Sequence, residues 1–205
     1  MSGGSNHGVW ESGILWGLTH YGNPEDFQWD VVTGVSAGSL NTAMTAMFAK
    51  GDEVNMSEWM SNAWAECSSA QVWRTRPDGV IRSVWEDISI LDSDPALEYV
   101  ESLVNQFEEV KRRFIFGTVD VNTGEYLHLD HTEVAFEEIP TASLGSGSIP
   151  VVFPPRAFKG HMLMDGGTAW NINLDSGVNM CLDMGYAEED IIVDVAIDGA
   201  RHAEP

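Results

Sequence analysis

The stretch DVVTGVSAGSLN, from Asp30 to Asn41, decides the fold of the chain and raises the question of its function. Apolar residues precede Ser36 and small, helix-forming residues follow it, so the stretch predicts a strand, a sharp turn and a helix in that order. Gly34 and Gly38 flank the serine in a Gly-x-Ser-x-Gly pattern, and glycine lets the backbone make such a tight turn. The turn would expose the hydroxyl of Ser36 at a sheet edge, beside the positive end of a helix. Ser36 is therefore a candidate nucleophile.

Helices and strands are both predicted around this turn. The opening glycines lead into a helix that closes near Gly22, and residues 52–110 are predicted to form tryptophan-rich helices. Asn122–Gly124 predicts the turn of a β-hairpin, and the apolar stretch Asp190–Asp198 predicts a strand inside a sheet covered on both faces. The tryptophans of the helical region are Trp59, Trp64, Trp73 and Trp85. Mixed strands and helices, with no repeat or linker, indicate a single α/β domain over residues 1–205.

The composition excludes some classes of function. The chain has 32 acidic and 10 basic residues and a formal net charge of −22, which repels nucleic-acid phosphates and anionic membrane surfaces. Nucleic-acid binding is therefore not expected, and the charge is interpreted as a solvated acidic surface. Cys67 and Cys181 are far apart in the sequence and fit no metal-ligand spacing. No apolar run of membrane-spanning length and no signal peptide is visible, so a cytoplasmic location is the default expectation.

A serine nucleophile needs a base beside it. The chain has six histidines: His7, His20, His128, His131, His161 and His202. The last four follow Ser36, as the histidine does in an α/β-hydrolase, but none has a distinctive sequence context; His161, ahead of an apolar run, is the best placed. A second candidate is Asp165, which ends that apolar run and precedes Gly166 and Gly167. These glycines permit a tight turn at the sheet edge, but Asp-Gly pairs also form ordinary turns. The residues alone leave the base open between a histidine and Asp165.

A glycine-rich loop at the start of the chain is the third part of a possible active site. The segment Ser2–Gly8 matches neither the phosphate-binding loop with its Gly-Lys-Ser/Thr nor the dinucleotide-binding Gly-x-Gly-x-x-Gly pattern. Its glycines permit close backbone approach, and the helix that follows adds its dipole, so the loop is suited to hold an oxyanion. An oxyanion loop, a serine at a sharp turn and a strand-end aspartate together indicate a serine acyl hydrolase.

In these segments the chain resembles the patatin-like phospholipase family. The family's oxyanion loop is similar to Gly3–Gly8, its nucleophile turn to Gly34–Gly38 and its Asp-Gly-Gly motif to Asp165–Gly167. The stretch Thr141–Pro155 is similar to the family's segment before Asp-Gly-Gly, and Thr118–Leu129 is similar to its hairpin. The resemblance follows the family's order of motifs and covers nearly the whole chain.

The resemblance implies a three-layer α/β/α sandwich with a mostly parallel central sheet, and a serine-aspartate dyad without a histidine. Ser36 would attack a lipid ester, and Asp165 would act first as general base and then as general acid. Backbone N–H groups of Gly3, Gly4 and Ser5 would hold the oxyanion. The implied reaction is hydrolysis of carboxylic esters of phospholipids or glycerolipids through an acyl-enzyme, with no metal or organic cofactor. The implied partners are the lipid substrate and, transiently, a membrane or lipid-body surface; the oligomeric state is left open.

Departures from the family pattern define the alternatives. Ser5 stands where the family has a third glycine and His7 where it has a basic residue, and a Cβ at Ser5 would crowd the loop if its φ is positive. The strand that precedes the loop in the family has no room ahead of Gly3, so we expect this strand to be absent or the chain to be incomplete at its amino end; the carboxyl end admits the same interpretation. The segment Asn171–Asn173 keeps the family's asparagine but not its proline. The alternative functions are a catalytically inactive lipid-binding or scaffold protein and a histidine-dependent α/β-hydrolase.

Overall fold

The computed structural model describes residues 1–76 and 89–197. The helices are α1 (Gly8–Tyr21), α2 (Ala37–Ala46), α3 (Glu53–Glu66), α4 (Ser69–Val72), α5 (Asp94–Val104), α6 (Ile139–Ser146) and α7 (Leu174–Asp183). The strands are β1 (Val31–Val35), β2 (Arg74–Thr75), β3 (Leu91–Asp92), β4 (Arg113–Asp120), β5 (Tyr126–Asp130), β6 (Arg156–Phe158) and β7 (His161–Asp165). Short 3₁₀ turns are Ser5–His7, Pro24–Phe27, Phe136–Glu138, Gly166–Thr168 and Glu188–Asp190. Trp85 and His202, named among the sequence predictions, lie outside the described residues.

Strand β4 brings the ends of two other strands together. β1 pairs with β4 in parallel, with Val35 opposite Gly117, and β5 pairs antiparallel along β4. β7 pairs antiparallel with the last residues of β4, with Asp165 opposite Thr118, and β6 pairs with β7. Because β5 overlaps both β1 and β7 along β4, it must occupy one edge of β4, and β1 and β7 must share the other. The carboxyl ends of β1 and β7 therefore meet end to end beside β4.

Helices cover both faces of the sheet. On one face α2, α5 and α6 enclose the main core, in which Phe114 and Phe116 of β4 are fully buried. On the other face α7 lies against β1, and a Cβ added at Gly177 would lie only 3.0 Å from the side chain of Thr33. The predicted three-layer α/β/α arrangement is thus confirmed.

The sheet itself is mixed. Among the described strands of this sheet, β1 with β4 is a parallel pair, whereas β4 with β5, β4 with β7 and β6 with β7 are antiparallel. These pairings are less parallel than the predicted mostly parallel sheet. For two of the three antiparallel pairs the physical reason is the connection, because β4–β5 and β6–β7 are joined by short turns, which permit only antiparallel pairing.

Two further local predictions have clear outcomes. The hairpin turn is confirmed between β4 and β5, where Gly124 has a φ of +74° and its N–H donates to the carbonyl of Asp120 at 2.7 Å. The predicted interior strand over Asp190–Asp198 is wrong for the described residues 191–197, which form no strand. The side chain of Ile192 is 89% exposed. An apolar run becomes an interior strand only where neighbouring strands complete its hydrogen bonds, and no described strand lies alongside this one.

An apolar groove separates β1 from the extended segment 191–197. The amino group of Met1 donates to Thr33 O at 2.8 Å and Val35 N–H donates to Met1 O at 3.3 Å, so Met1 pairs with β1 as one residue of a parallel strand would. On the other side, Ser2 N–H donates to Ala196 O at 3.0 Å. Beyond Met1 the groove has a volume of about 950 Å³. Apart from β4, Met1 is the only described residue that pairs with β1 in parallel.

Candidate active site

Ser36 occupies the turn between β1 and α2 in a strained conformation. Its φ is +54° and its ψ is −122°, a region that costs a residue other than glycine about 1–3 kcal/mol. Close contacts explain the two flanking glycines. A Cβ at Gly34 would lie 2.0 Å from the carbonyl oxygen of Gly38, and a Cβ at Gly38 would lie 2.5 Å from the carbonyl oxygen of Met1. The sequence pattern therefore corresponds to a turn in which neither flanking residue has room for a Cβ.

Ser36 and Asp165 are in hydrogen-bond contact, although 129 positions separate them in the sequence. Ser36 Oγ donates to Asp165 Oδ2 at 2.6 Å. The contact follows from the sheet, because Ser36 comes directly after β1 and Asp165 ends β7 at the point where the two strands meet. Each residue is only 6% exposed. The structure thus brings the aspartate, rather than a histidine, to the candidate nucleophile.

The surroundings of Asp165 favour its action as a base. Its second carboxylate oxygen, Oδ1, accepts the backbone N–H of Gly167 at 2.7 Å, and its own carbonyl accepts the hydroxyl of Thr168 at 2.7 Å. A Cβ at Gly166 would lie 2.3 Å from the carbonyl oxygen of Gly117, so the Asp-Gly-Gly turn fits tightly against β4. Burial raises the pKa of Asp165, while the hydrogen bonds from Ser36 and Gly167 act in the opposite direction. A raised pKa makes the carboxylate a stronger proton acceptor.

The three described histidines that follow Ser36 in the sequence have other surroundings. His161 Nδ1 contacts Asp120 Oδ2 at 3.0 Å, and this contact is the largest cause that lowers the pKa of Asp120 to about 2. His128 Nδ1 contacts Asn173 Oδ1 at 2.9 Å. His131 lies near an aromatic ring of β4, and burial lowers its pKa. None of these side chains hydrogen-bonds to the candidate nucleophile or to its aspartate.

The glycine-rich loop lies against the serine, but Gly3 differs from its predicted role. Gly3 N–H donates to Asn171 Oδ1 at 3.1 Å and lies 3.3 Å from Asn171 O, and Asn171 Nδ2 donates to Gly3 O at 2.9 Å. The N–H of Gly3 therefore points to Asn171 and is not free for an oxyanion. The N–H groups of Gly4 and Ser5 have no hydrogen-bond acceptor among the described residues. Two of the three predicted oxyanion donors, the N–H groups of Gly4 and Ser5, are therefore available to a ligand.

Ser5 carries the strain that its replacement of a glycine predicts. Its φ is +54°, in the left-handed region that favours glycine, and its side chain is exposed. His7, the other departure in this loop, is also exposed at the end of the short turn that leads into α1. The loop therefore keeps a residue with a Cβ in the left-handed region, and this conformation costs about 1–2 kcal/mol of backbone strain.

Two residues of the site had no role in the sequence predictions. Ser146, at the end of α6, accepts the backbone N–H of Ser36 with its Oγ at 2.9 Å and donates to the carbonyl of Gly117 at 2.6 Å. Asn171 holds both polar backbone groups of Gly3. Both residues lie in segments that resemble the family, but Ser36 and Gly3, which they contact, are more than a hundred positions away, so no local pattern assigns them these contacts.

A largely apolar cavity of about 590 Å³ opens at Ser36. Helices α2, α3 and α5 form much of its wall, with Leu40, Trp64 and Val100 among the apolar side chains. None of the described lining residues is charged. Such a cavity excludes water around the serine and offers apolar surface to a long hydrocarbon group.

Two kinds of feature are absent from the described residues. No group of three or more His, Cys, Asp or Glu side chains is arranged to hold a metal ion in this part of the chain. Within the same residues, every helix is too short or too polar to cross a membrane.

Two comparisons with known proteins found similarities. The family model for patatin-like phospholipase matches residues 1–178. No curated protein matches the chain. Among solved structures, VipD from Legionella pneumophila is similar, with a TM-score of 0.55 and 13% sequence identity. The match covers 83% of this chain but 46% of that chain, so this chain spans less than half the length of VipD. At this identity the likeness to VipD concerns the fold alone.

Proposed function

The chain belongs to the patatin-like phospholipase family, and we propose that it hydrolyses carboxylic esters of phospholipids or glycerolipids with Ser36 as nucleophile and Asp165 as general base. The family supports lipid ester hydrolysis in general. The observation that carries the finer proposal is the buried 2.6 Å hydrogen bond from Ser36 Oγ to Asp165 Oδ2. It satisfies the first requirement of serine catalysis, a base within reach of the hydroxyl proton.

In the first step Ser36 Oγ forms a bond to the ester carbonyl carbon and its proton passes to Asp165 Oδ2. The carbonyl electron pair moves onto oxygen, which becomes the oxyanion of a tetrahedral intermediate. The N–H groups of Gly4 and Ser5 and the positive end of α2 are the proposed stabilisers of this charge. A well-placed donor of this kind lowers the activation barrier by about 3 kcal/mol.

In the second step the carbon–oxygen bond to the leaving group breaks and Asp165 returns the proton to the departing alcohol. The acyl group then remains on Ser36. Water attacks this acyl-enzyme, gives a proton to Asp165 and releases a carboxylic acid, after which the proton returns to Ser36 Oγ. A carboxyl with a raised pKa suits both roles, because it must accept and donate the same proton in each half of the reaction.

The cavity beside Ser36 supports an ester with a long acyl chain. Its described lining has no charged side chain, and each methylene that it buries contributes about 0.8 kcal/mol. Contact with a lipid surface is part of the proposal, because Val9 lines the cavity and its neighbour Trp10 is 60% exposed. The net charge of −22 favours a neutral or zwitterionic surface over an anionic one.

Labelling with a fluorophosphonate probe tests the dyad. We expect the wild type to be labelled and to hydrolyse a long-chain p-nitrophenyl ester, and both activities to be lost in Ser36→Ala and Asp165→Asn. The matched controls are Ser57→Ala, a buried serine of α3, and Asp120→Asn, a buried carboxyl of the hairpin; both should retain labelling. Full labelling and turnover of Asp165→Asn would move the base to another residue, such as a histidine, and refute the dyad.

A second candidate function is a catalytically inactive lipid-binding or scaffold protein. The strained Ser5 and the engagement of Gly3 N–H by Asn171 favour it, because both reduce the loop's ability to hold an oxyanion. A folded wild type that binds a fluorescent fatty acid but takes no fluorophosphonate at all would support this function against hydrolysis.

A further inference from the structure

A fully buried acid lies behind the oxyanion loop and has no part in the proposed chemistry. Glu11, on the first turn of α1, is 0% exposed. Its Oε1 accepts the backbone N–H of Ser2 at 2.9 Å, and its Oε2 accepts Asn41 Nδ2 at 2.9 Å. Ser2 N–H also lies 3.0 Å from Ala196 O, so this donor is shared between two acceptors. The carboxylate thus bridges the residue just before Gly3 and the helix that begins after Ser36.

Asn41 extends this bridge to the cavity wall. Its Nδ2 donates to the carbonyl of Gly8 at 2.9 Å, and its Oδ1 accepts Trp64 Nε1–H at 2.7 Å. Asn41 is 0% exposed and lies on α2, while Trp64 lines the cavity at Ser36. The oxyanion loop, the nucleophile helix and the acyl cavity are therefore joined through two adjacent side chains.

We infer that Glu11 is a positioning residue, which holds the oxyanion loop in register with Ser36 through Ser2 and Asn41. This inference rests on the proposed function for its catalytic consequence, but the anchoring itself does not. Asn171 holds the loop by its hydrogen bonds to Gly3, and Glu11 holds it by the hydrogen bond from Ser2 N–H. Loss of either set of hydrogen bonds would leave one end of the loop without its anchor. The Glu11 carboxylate accepts from two buried N–H donors, and a water molecule could take its place only if the site had room for one. A buried donor left without an acceptor costs free energy of folding.

The substitution Glu11→Gln tests the inference, because it keeps the shape of the side chain. One acceptor oxygen becomes an NH₂ donor and faces either Ser2 N–H or Asn41 Nδ2, both of which are donors. We expect kcat for the ester to fall by about tenfold to a hundredfold with KM within about twofold, since small misplacements of catalytic groups cost rates of this order. We also expect faster hydrogen exchange in a peptide that covers residues 1–8.

Glu53→Gln is the matched control. Glu53 is also buried, 1% exposed, and pairs with Arg112 at 2.8 Å, but it does not line the cavity. It should lower the midpoint of thermal unfolding and leave kcat and exchange over residues 1–8 unchanged. If Glu11→Gln gives that same pattern, a lowered unfolding midpoint with wild-type kcat and loop exchange, its role is only structural and the inference is overturned.

A second variant and an activity-independent measurement keep the inference testable if Glu11→Gln does not fold or the wild type is inactive. If Glu11→Gln does not fold, Glu11→Asp takes its place, because the side chain shortened by one methylene cannot reach both Ser2 N–H and Asn41, and the same two readouts decide. If the wild type has no esterase activity, the proposed function fails, while hydrogen exchange over residues 1–8 still decides the anchoring. Unchanged exchange in the folded variant would refute it.

Discussion

Replacing Asp165 by asparagine is expected to remove activity and to stabilise the fold. Loss of a general base costs about 10²–10⁴ in rate, which corresponds to about 3–5.5 kcal/mol of barrier. Both hydrogen bonds of the side chain can persist, because the amide oxygen can still accept Gly167 N–H and the hydroxyl of Ser36 can turn to accept the amide N–H. What disappears is a buried negative charge.

The stability change follows from the sign of the pKa shift. Burial raises the pKa of Asp165 in the folded state, so the native protein holds this proton more tightly than the unfolded chain does. The wild type therefore gains stability as the pH falls through the raised pKa, and at neutral pH the ionised carboxylate destabilises it. Asparagine has no such charge. We expect the unfolding free energy of the variant to exceed that of the wild type at neutral pH by an amount typical of single substitutions, about 1 kcal/mol, or about 2–4 °C in Tm for a chain of this length.

Urea unfolding followed by circular dichroism, from pH 3 to pH 8, checks this reasoning, because the difference changes between the ordinary aspartate pKa of about 3.9 and the raised one. The difference in unfolding free energy between the variant and the wild type should be largest at the alkaline end and shrink toward acid. The Asp120→Asn control should instead be less stable than the wild type at neutral pH, because the contact with His161 and the hydrogen bonds of the hairpin lower the pKa of Asp120 to about 2. This deficit should be lost only as the pH falls below the ordinary aspartate pKa of about 3.9. An Asp165→Asn protein that is less stable than the wild type at neutral pH, or a difference that grows toward acid, would refute the argument.

Three more substitutions or extensions have defined outcomes. Ser5→Gly removes a Cβ from a residue with a φ of +54° and should raise the unfolding free energy by about 0.5 kcal/mol, because the strain relieved exceeds the entropy that glycine loses on folding. An unchanged or lower unfolding free energy in urea would contradict this. Gly34→Ala would place a Cβ 2.0 Å from the carbonyl oxygen of Gly38 and should abolish soluble expression, whereas alanine at Gly13, with nothing within 4 Å, should be tolerated; comparable yields of the two would count against the tight turn. A chain extended ahead of Met1 by four alternating valine and threonine residues should have a higher Tm and bind less of an apolar dye, because the added residues can pair with β1 in the groove. An extension with a central proline should have neither effect, and equal Tm values for both extensions would contradict this use of the groove.

The sequence predicted the parts of the site whose chemistry depends on local backbone shape. The turn at Ser36 was recognisable because tight packing excludes a Cβ at Gly34 and Gly38, and Asp165 because two glycines follow it. The strain at Ser5 was foreseeable from a serine in a glycine position. In each case the residue type itself indicates the backbone conformation or the lack of space at that position.

The rest of the site depends on contacts between distant segments. Ser146 and Asn171 meet Ser36 and Gly3 across 110 and 168 positions, and a serine or asparagine looks the same in the sequence whether or not it makes such a contact. Glu11 sits on a helix where an acid is expected to face solvent, yet it is fully buried. The segment 191–197 failed as a strand prediction for the converse reason: its composition suits a sheet interior, but strand formation requires neighbours that composition does not supply.

The clamp between Gly3 and Asn171 also has a consequence for timing during synthesis. The first residues of the loop leave the ribosome early, but Asp165 and Asn171 emerge last among the parts of the site. At about 5–20 residues per second, the 129 positions from Ser36 to Asp165 take roughly 6–26 s to make. Throughout that interval Ser36 lacks both its proposed base and the contact between Gly3 and Asn171. We therefore expect a nascent chain that ends before Asp165 to be inert toward the lipids around it.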